Sequence, residues 1–214
     1  MKKNETGFTL IEILVVVSIL GVLIGMVALL VLKAPQQAKH FMSQNRVTQV
    51  AAAIHSFETE MGYLPPMTLE KLGKRSKYFA KIKAPDNDTN TSIEVLCVAL
   101  NHPEFAKAIG DTLSGDAFGN TDEDSYNVPP KGSPTADARE IVDDWGHPLI
   151  YIEKNSYDKG PFLVKNGDDI EVEVHAVRRK NGEYYNKTGF QLLSLGPNGI
   201  QDEDDEIMNF KLEE

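Results

Sequence analysis

The chain has 214 residues, 41% of them hydrophobic and 25% charged, with 16 Gly and 11 Pro, a globular composition that excludes a collagenous or wholly disordered chain. Its 22 Lys and Arg against 32 Asp and Glu give a formal charge of -10, the wrong sign for the footprint of a nucleic-acid binder, so no nucleic-acid partner is expected. A single cysteine, Cys97, excludes an intrachain disulfide and a cysteine-built zinc site, which leaves packing, or a hard metal held by oxygen, to stabilise the fold.

A mean hydropathy of -0.30 conceals an apolar run from Phe8 to Leu32 whose one ionisable residue is Glu12. As a helix, that run is about 37 Å long at about 1.5 Å per residue, enough to cross a bilayer core of about 30 Å with some tilt. Lys2 and Lys3 precede it and hold that end in the cytoplasm, which puts everything after Lys33 on the far side. A cleaved signal peptide has an apolar region of only about 7–15 residues, so the plain reading is a retained anchor. Glu12 stands against a plain anchor, because a carboxylate in a spanning helix costs on the order of 2–3 kcal/mol toward the centre and calls for a partner.

Beyond Lys33 the apolar residues thin to a stripe, Phe41, Val47, Val50, Ala51, Ile54, Phe57 and Met61, one face of an amphipathic helix. Pro35 either kinks the continuation or marks the junction. Gly62, followed by Pro65 and Pro66, ends the helix. The capping-box pattern Thr91-Ser-Ile-Glu94 predicts a short helix over Ile93–Leu100, and Pro103–Ile109 reads as another. Cys97 falls on an apolar helix face, the setting of a buried, inert thiol. Gly115–Pro134 reads as a loop. Within it Asn120-Thr-Asp122-Glu-Asp124 has the alternating oxygens of an EF-hand start, but it lacks the Gly and the distal Glu of that motif.

Strands are predicted at Leu149–Glu153, Pro161–Lys165, Ile170–Arg178 and Phe190–Leu195, with Asn166-Gly167 and Asn181-Gly182 as hairpin dipeptides. A long helix followed by hairpin-linked strands predicts an α+β fold whose helix stripe packs on an antiparallel sheet. After the last strand, Ser194-Leu-Gly-Pro-Asn-Gly-Ile-Gln-Asp-Glu-Asp-Asp-Glu-Ile207 supplies carboxylates, an amide carbonyl and a turning backbone. It is either a solvated acidic loop or a calcium loop, since calcium takes 6–8 hard oxygens of these kinds.

Gly7-Phe8-Thr9-Leu10-Ile11-Glu12, with a Lys-bearing leader before it and an unbroken apolar stretch after it, resembles the processing site of type IV pilins and type II secretion pseudopilins. The resemblance implies cleavage between Gly7 and Phe8 by a prepilin peptidase, N-methylation of Phe8, and a role for Glu12 opposite the terminal amine of a neighbouring subunit. The stretch Asn45–Tyr63 looks like the pseudopilin helix end, with Gly-Tyr-Leu-Pro in place of Gly-x-Tyr-Pro. Asp143-Asp-Trp-Gly-His-Pro-Leu-Ile-Tyr151 is similar to the Asp-Pro-Trp-Gly-x-Pro-Tyr signature at the entry to the sheet, where Trp145 is expected to anchor the core. The acidic loop resembles the family's Ser-x-Gly-Pro-Asp-Gly pattern. By position that resemblance implies a calcium site built from Leu195, Asn198, Asp204 and Asp205, with Asn198 where the family has Asp.

No metalloprotease His pair, phosphate-binding Gly loop or Gly-x-Ser-x-Gly elbow is present, and the chain is expected not to be an enzyme. The expected organisation is a leader over 1–7, a transmembrane filament-core helix over 8–32 and its amphipathic continuation over 33–64. A variable region over 65–142 and an antiparallel sheet with the acidic loop over 143–214 follow. The resemblance implies a pseudopilin of a type II secretion system, anchored once in the bacterial inner membrane with its C-terminal part in the periplasm. Its implied partners are other pseudopilin subunits, the prepilin peptidase and the inner-membrane secretion platform. A surface type IV pilin, or an anchored periplasmic domain that never polymerises, is the alternative.

Overall fold

The computed structural model describes residues 9–77, 79–83, 85, 87–103, 113, 115–201 and 205–212, and of residues 28–33 the backbone alone. Helix α1 runs Leu10–Met61 with Pro35 inside it, so Pro35 does not end the helix. The chain divides into two compact units, one up to Lys39 and one from His40.

In the first unit α1 is set at its start by Thr9 and Glu12. The Glu12 carboxylate accepts from the Thr9 backbone N–H and hydroxyl, both at 2.8 Å, while the Thr9 hydroxyl accepts from the Glu12 N–H at 3.3 Å. This reciprocal pair satisfies amides that the first helical turn leaves open.

The second unit is organised by the other end of α1. Ser43, Arg46, Val47, Val50, Ala53, Ile54 and Phe57 are buried at the three- and four-residue spacing of one helix face. Gly62 ends the helix as expected, with φ of +74° and its N–H on the Glu58 carbonyl at 2.8 Å, a left-handed cap that glycine adopts without steric cost. The chain then folds back through buried Leu64 to Met67, and the Tyr151 hydroxyl fixes the Pro65 carbonyl at 2.7 Å. A short helix α2, Leu69–Arg75, follows.

Helix α3 spans Thr91–Asn101 and is buried from Ile93 to Leu100. Its start differs from the expected capping box. Asn90, in the left-handed region at φ 52°, is the N-cap, and Glu94 is a buried side chain rather than a capping one. The Asn90 side chain is occupied elsewhere: its Oδ1 accepts from the Lys165 N–H, and its Nδ2 donates to Thr121, Glu140 and the Lys165 carbonyl. The expected helix over Pro103–Ile109 lies, apart from Pro103, outside the described residues.

The predicted strands appear as β3 (Ile150–Glu153), β4 (Phe162–Lys165), β5 (Glu171–Val174) and β6 (Phe190–Ser194). Two additions precede them inside and beyond the expected loop, β1 (Phe118–Gly119) and β2 (Glu140–Ile141), and β7 (Ile207–Met208) follows. The single sheet expected is divided in three. The main sheet has the order β3-β6-β7, while β4-β5 and β1-β2 form separate ribbons, all antiparallel. Buried Val50, Ile54 and Phe57 of α1 share one core with α3 and with Ile150, Ile152, Leu192 and Leu193 of the main sheet. The architecture is therefore α+β with the element order of a pilin.

The strand predicted to reach Arg178 stops at Val174 because side chains take over the pairing. Gln191 binds both backbone groups of Val177, accepting its N–H at 2.7 Å and donating to its carbonyl at 2.9 Å. Gln201 does the same for His175.

Candidate functional site

Two regions carry the residues singled out from the sequence. The first is the helix surface from Leu10 to Val27, whose mean hydropathy is 2.8 and none of which is buried. In length and composition it qualifies as a membrane span. Side chains such as Leu14, Val17 and Ile24 are more than half exposed, and a contiguous exposed apolar surface of this kind marks a membrane or protein interaction site. Glu12 sits one turn into this surface and is held by Thr9. The Thr-x-x-Glu spacing is the signal that could have revealed this partner in the sequence. Gly7 and Phe8 lie outside the described residues.

The second region joins three loops of the head. Asp143 stands at its centre, accepting at Oδ1 from the Trp145 and His147 N–H groups, each at 2.9 Å, and at Oδ2 from the Ser194 hydroxyl at 2.6 Å. Burial pushes the Asp143 carboxyl above its ordinary range, and these hydrogen bonds to the ionised form oppose that rise. Ser194 in turn accepts from the Gly196 N–H at 3.1 Å.

His147 Nδ1 accepts from the Gly167 N–H at 3.1 Å, and Asn166 Nδ2 donates to the Gly199 carbonyl at 2.9 Å. The loops lie so close that a Cβ on Gly167 would sit 2.4 Å from the Gly146 carbonyl oxygen, and one on Gly199 would sit 2.7 Å from Asn166 Nδ2. This packing explains glycine at both positions. Helix α1 is tied to the same assembly by Arg46, whose Nη1 donates to the Val142 carbonyl at 2.6 Å and whose Nη2 meets Asp144 at 3.4 Å. Trp145, expected to anchor the core, packs on it half-buried.

The residues expected to hold calcium fall on the rim of this assembly. Leu195 is buried, Asn198 is exposed with its Oδ1 accepting from the Ile200 N–H at 3.0 Å, and Asp205 packs on Gly196. A Cβ on Gly196 would lie 2.5 Å from the Asp205 carbonyl oxygen and 2.8 Å from its Oδ1. That cradle brings the two ends of the loop together, and its donors are hard oxygens of the kind calcium takes. Asp204 lies outside the described residues. Asp143, Ser194, Asn166 and His147 were not singled out as ligating or binding residues, and no spacing rule marks them.

With this geometry in place, comparison with known proteins is specific at the N-terminus. The prokaryotic N-terminal methylation motif matches residues 2–28. The chain therefore carries a prepilin-type N-terminus on an apolar helix followed by an α+β head. It is similar to the type II secretion system core protein G of Pseudomonas aeruginosa, with 39% identity over 59 residues that cover 28% of this chain and 42% of that one. The chain thus spans about two fifths of the length of this relative. No solved structure matches.

Proposed function

We propose that this chain is a pseudopilin, a structural subunit of a type II protein secretion system rather than an enzyme. It is stored in the inner membrane with its head in the periplasm, processed between Gly7 and Phe8 by the prepilin peptidase, and polymerised with other pseudopilins on the inner-membrane platform. The observation that carries the reading is the methylation motif over residues 2–28 on a helix whose entire apolar window is uncovered by its own chain. Such a surface suits lipid before assembly and neighbouring helices after it. Glu12 then gives register, because a carboxylate in a low-dielectric fibre core is stable only beside a well-placed cation, here the terminal amine of the next subunit.

In the head, Leu195 through its carbonyl, Asn198, Asp204 and Asp205 would hold calcium. The ion would supply the positive charge that lets these acids lie together while the Gly196 cradle closes the loop. Similarity to core protein G supports secretion over a surface pilus.

The deciding experiment is deletion of the gene with parallel assays of exoprotein release, surface filaments and DNA uptake, beside mass spectrometry of the mature N-terminus. Trapped exoproteins with intact surface functions, and a methylated Phe8 terminus, support the proposal. Continued secretion with lost filaments or uptake assigns the chain to a pilus, and an uncleaved N-terminus assigns it to a plain anchor.

A further inference from the structure

Away from the C-terminal loop, the head gathers acids in its interior. Glu94 from the first turn of α3 and Glu140 from β2 are 1% and 0% exposed, and half-buried Asp122 joins them from the turn after β1. One carboxylate oxygen from each lies within 4.8 Å of the other two. Two oxygens bound to a common calcium at about 2.4 Å can be at most about 4.8 Å apart, so each pair here meets the limit that a shared ion sets.

The charged neighbours that bear on Glu94 are Asp124, Asp122 and Glu140, all negative. Hydrogen bonds hold Asp122 and Glu140 in place, and the Thr121 N–H reaches both Glu140 oxygens at 3.0 Å. Asn87 Nδ2 and Thr89 Oγ1 donate to Asp122 Oδ2 at 3.0 and 2.7 Å, and Asn90 Nδ2 and Thr121 Oγ1 donate to Glu140 Oε1 at 2.9 and 3.1 Å.

Independent of the cluster itself, Tyr126 points to a ligand. Its ring is buried, 4% exposed, and its hydroxyl has no hydrogen-bond partner although Glu94, Asp124 and Glu140 all act on it. Glu94 Oε1 and Asp122 Oδ1 are likewise buried without a partner. Native interiors leave few such atoms, because an unpaired buried polar group costs free energy and an unpaired charge costs more. A cation held by the carboxylates offsets the negative charge that they gather.

We propose that Glu94, Asp122 and Glu140, with the Tyr126 hydroxyl beside them, form a second divalent-cation site whose ion is calcium. The donors are all oxygen, which selects a hard cation over zinc, and carboxylates mixed with a neutral oxygen suit the irregular coordination that calcium accepts. The bound ion links α3 to the β1-β2 ribbon and to the turn that carries Asp122. It is independent of the secretion reading and of the C-terminal loop.

The test uses the full chain in detergent, stripped with chelator, with bound calcium counted by equilibrium dialysis. Asp205→Asn, which weakens the C-terminal loop alone, is expected to retain one equivalent, and Glu94→Gln is expected to bind one equivalent fewer than the unaltered chain. Terbium, excited through tyrosine, reports the place of binding. Its emission in the Asp205→Asn chain is expected to fall several-fold when Tyr126→Phe is added. Loss of all calcium from Asp205→Asn, full stoichiometry in Glu94→Gln, or terbium emission indifferent to Tyr126 each overturns the site. If Glu94→Gln does not fold, the Asp205→Asn stoichiometry and the Tyr126 comparison still decide.

Discussion

Ser194 donates its hydroxyl hydrogen to Asp143 Oδ2 at 2.6 Å across 51 residues of chain. This contact joins the end of β6 to the loop that Arg46 ties to α1. Because the acceptor is buried, removing the donor takes from Asp143 Oδ2 its bond to β6 and leaves Oδ1 on the two amides of its own loop. Ser194→Ala is expected to cost about 0.5–1.5 kcal/mol, the range for a typical intramolecular hydrogen bond. Urea unfolding of the purified chain in detergent checks this, read from the near-ultraviolet signal of Trp145; a loss below about 0.5 kcal/mol would show that the contact is not coupled to folding.

Thr9 and Glu12 lead to a prediction that separates local helix capping from assembly. If Glu12 served the helix alone, losing either partner should give the same modest effect, about 1 kcal/mol of cap stability. In the proposed filament the carboxylate also meets a neighbour's terminal amine. Glu12→Val is therefore expected to leave membrane insertion intact and to abolish fibre formation, whereas Thr9→Val should reduce it little. Carbonate extraction measures insertion and sheared-fibre yield measures assembly. Equal fibre yields from the two variants would reduce Glu12 to a cap.

Buried acids set the sign of the head's response to pH. Glu94 is pushed from an ordinary 4.5 up to about 10, chiefly by burial and then by Asp124, Asp122 and Glu140, while Asp143 and Glu140 are also raised by burial. A raised carboxyl keeps its proton in the folded chain at pH values where the unfolded chain has lost it. Stability is then greatest below the ordinary carboxylate range and falls as pH rises toward the folded value, by at most about 1.4 kcal/mol per pH unit for each such proton. In chelator, the urea midpoint is expected to fall from about pH 5 to about pH 9. A midpoint that rises over that window would mean these carboxyls are ionised and paired in the folded chain.

What could be read from the sequence followed periodicity and composition. The apolar stripe of α1 and the four main strands announce themselves by spacing and β-branched residues. The two-residue strands β1, β2 and β7 are too short to hold a period, so nothing marked them. Asn166-Gly167 did mark a turn, but for another physical reason than the dipeptide suggests. The left-handed residue there is Asp169 at φ 64°, Asn166 Oδ1 accepts from the N–H groups of Asp168 and Ile170, and Gly167 is small because the Gly146 carbonyl presses on it. Thr91–Glu94 has the letters of a capping box, yet tertiary contacts claim Asn90 and Glu94 first. The candidate sites divide in the same way. Glu12 and the acidic loop are local patterns, whereas Glu94, Asp122 and Glu140 meet only after folding, from segments 28 and 18 positions apart.

Gln191 offers the sharpest test of that second kind of information. Within β6 it pairs with Ile152 through its backbone, and its fully buried amide simultaneously accepts from the Val177 N–H and donates to the carbonyls of Val177 and Tyr185. The side chain thus stands where another strand would run. An apolar replacement of similar volume fills the space but takes the partner from the buried Val177 N–H and from the Tyr185 carbonyl, at about 1–3 kcal/mol each, while the Val177 carbonyl keeps the Tyr185 N–H at 3.3 Å. Gln191→Leu is expected to destabilise the head by about 3 kcal/mol or more. It should also expose the amide of Val177 to hydrogen exchange while those of β3 stay protected. Exchange resolved to these residues checks it, and unchanged protection at Val177 would show that its backbone finds another partner.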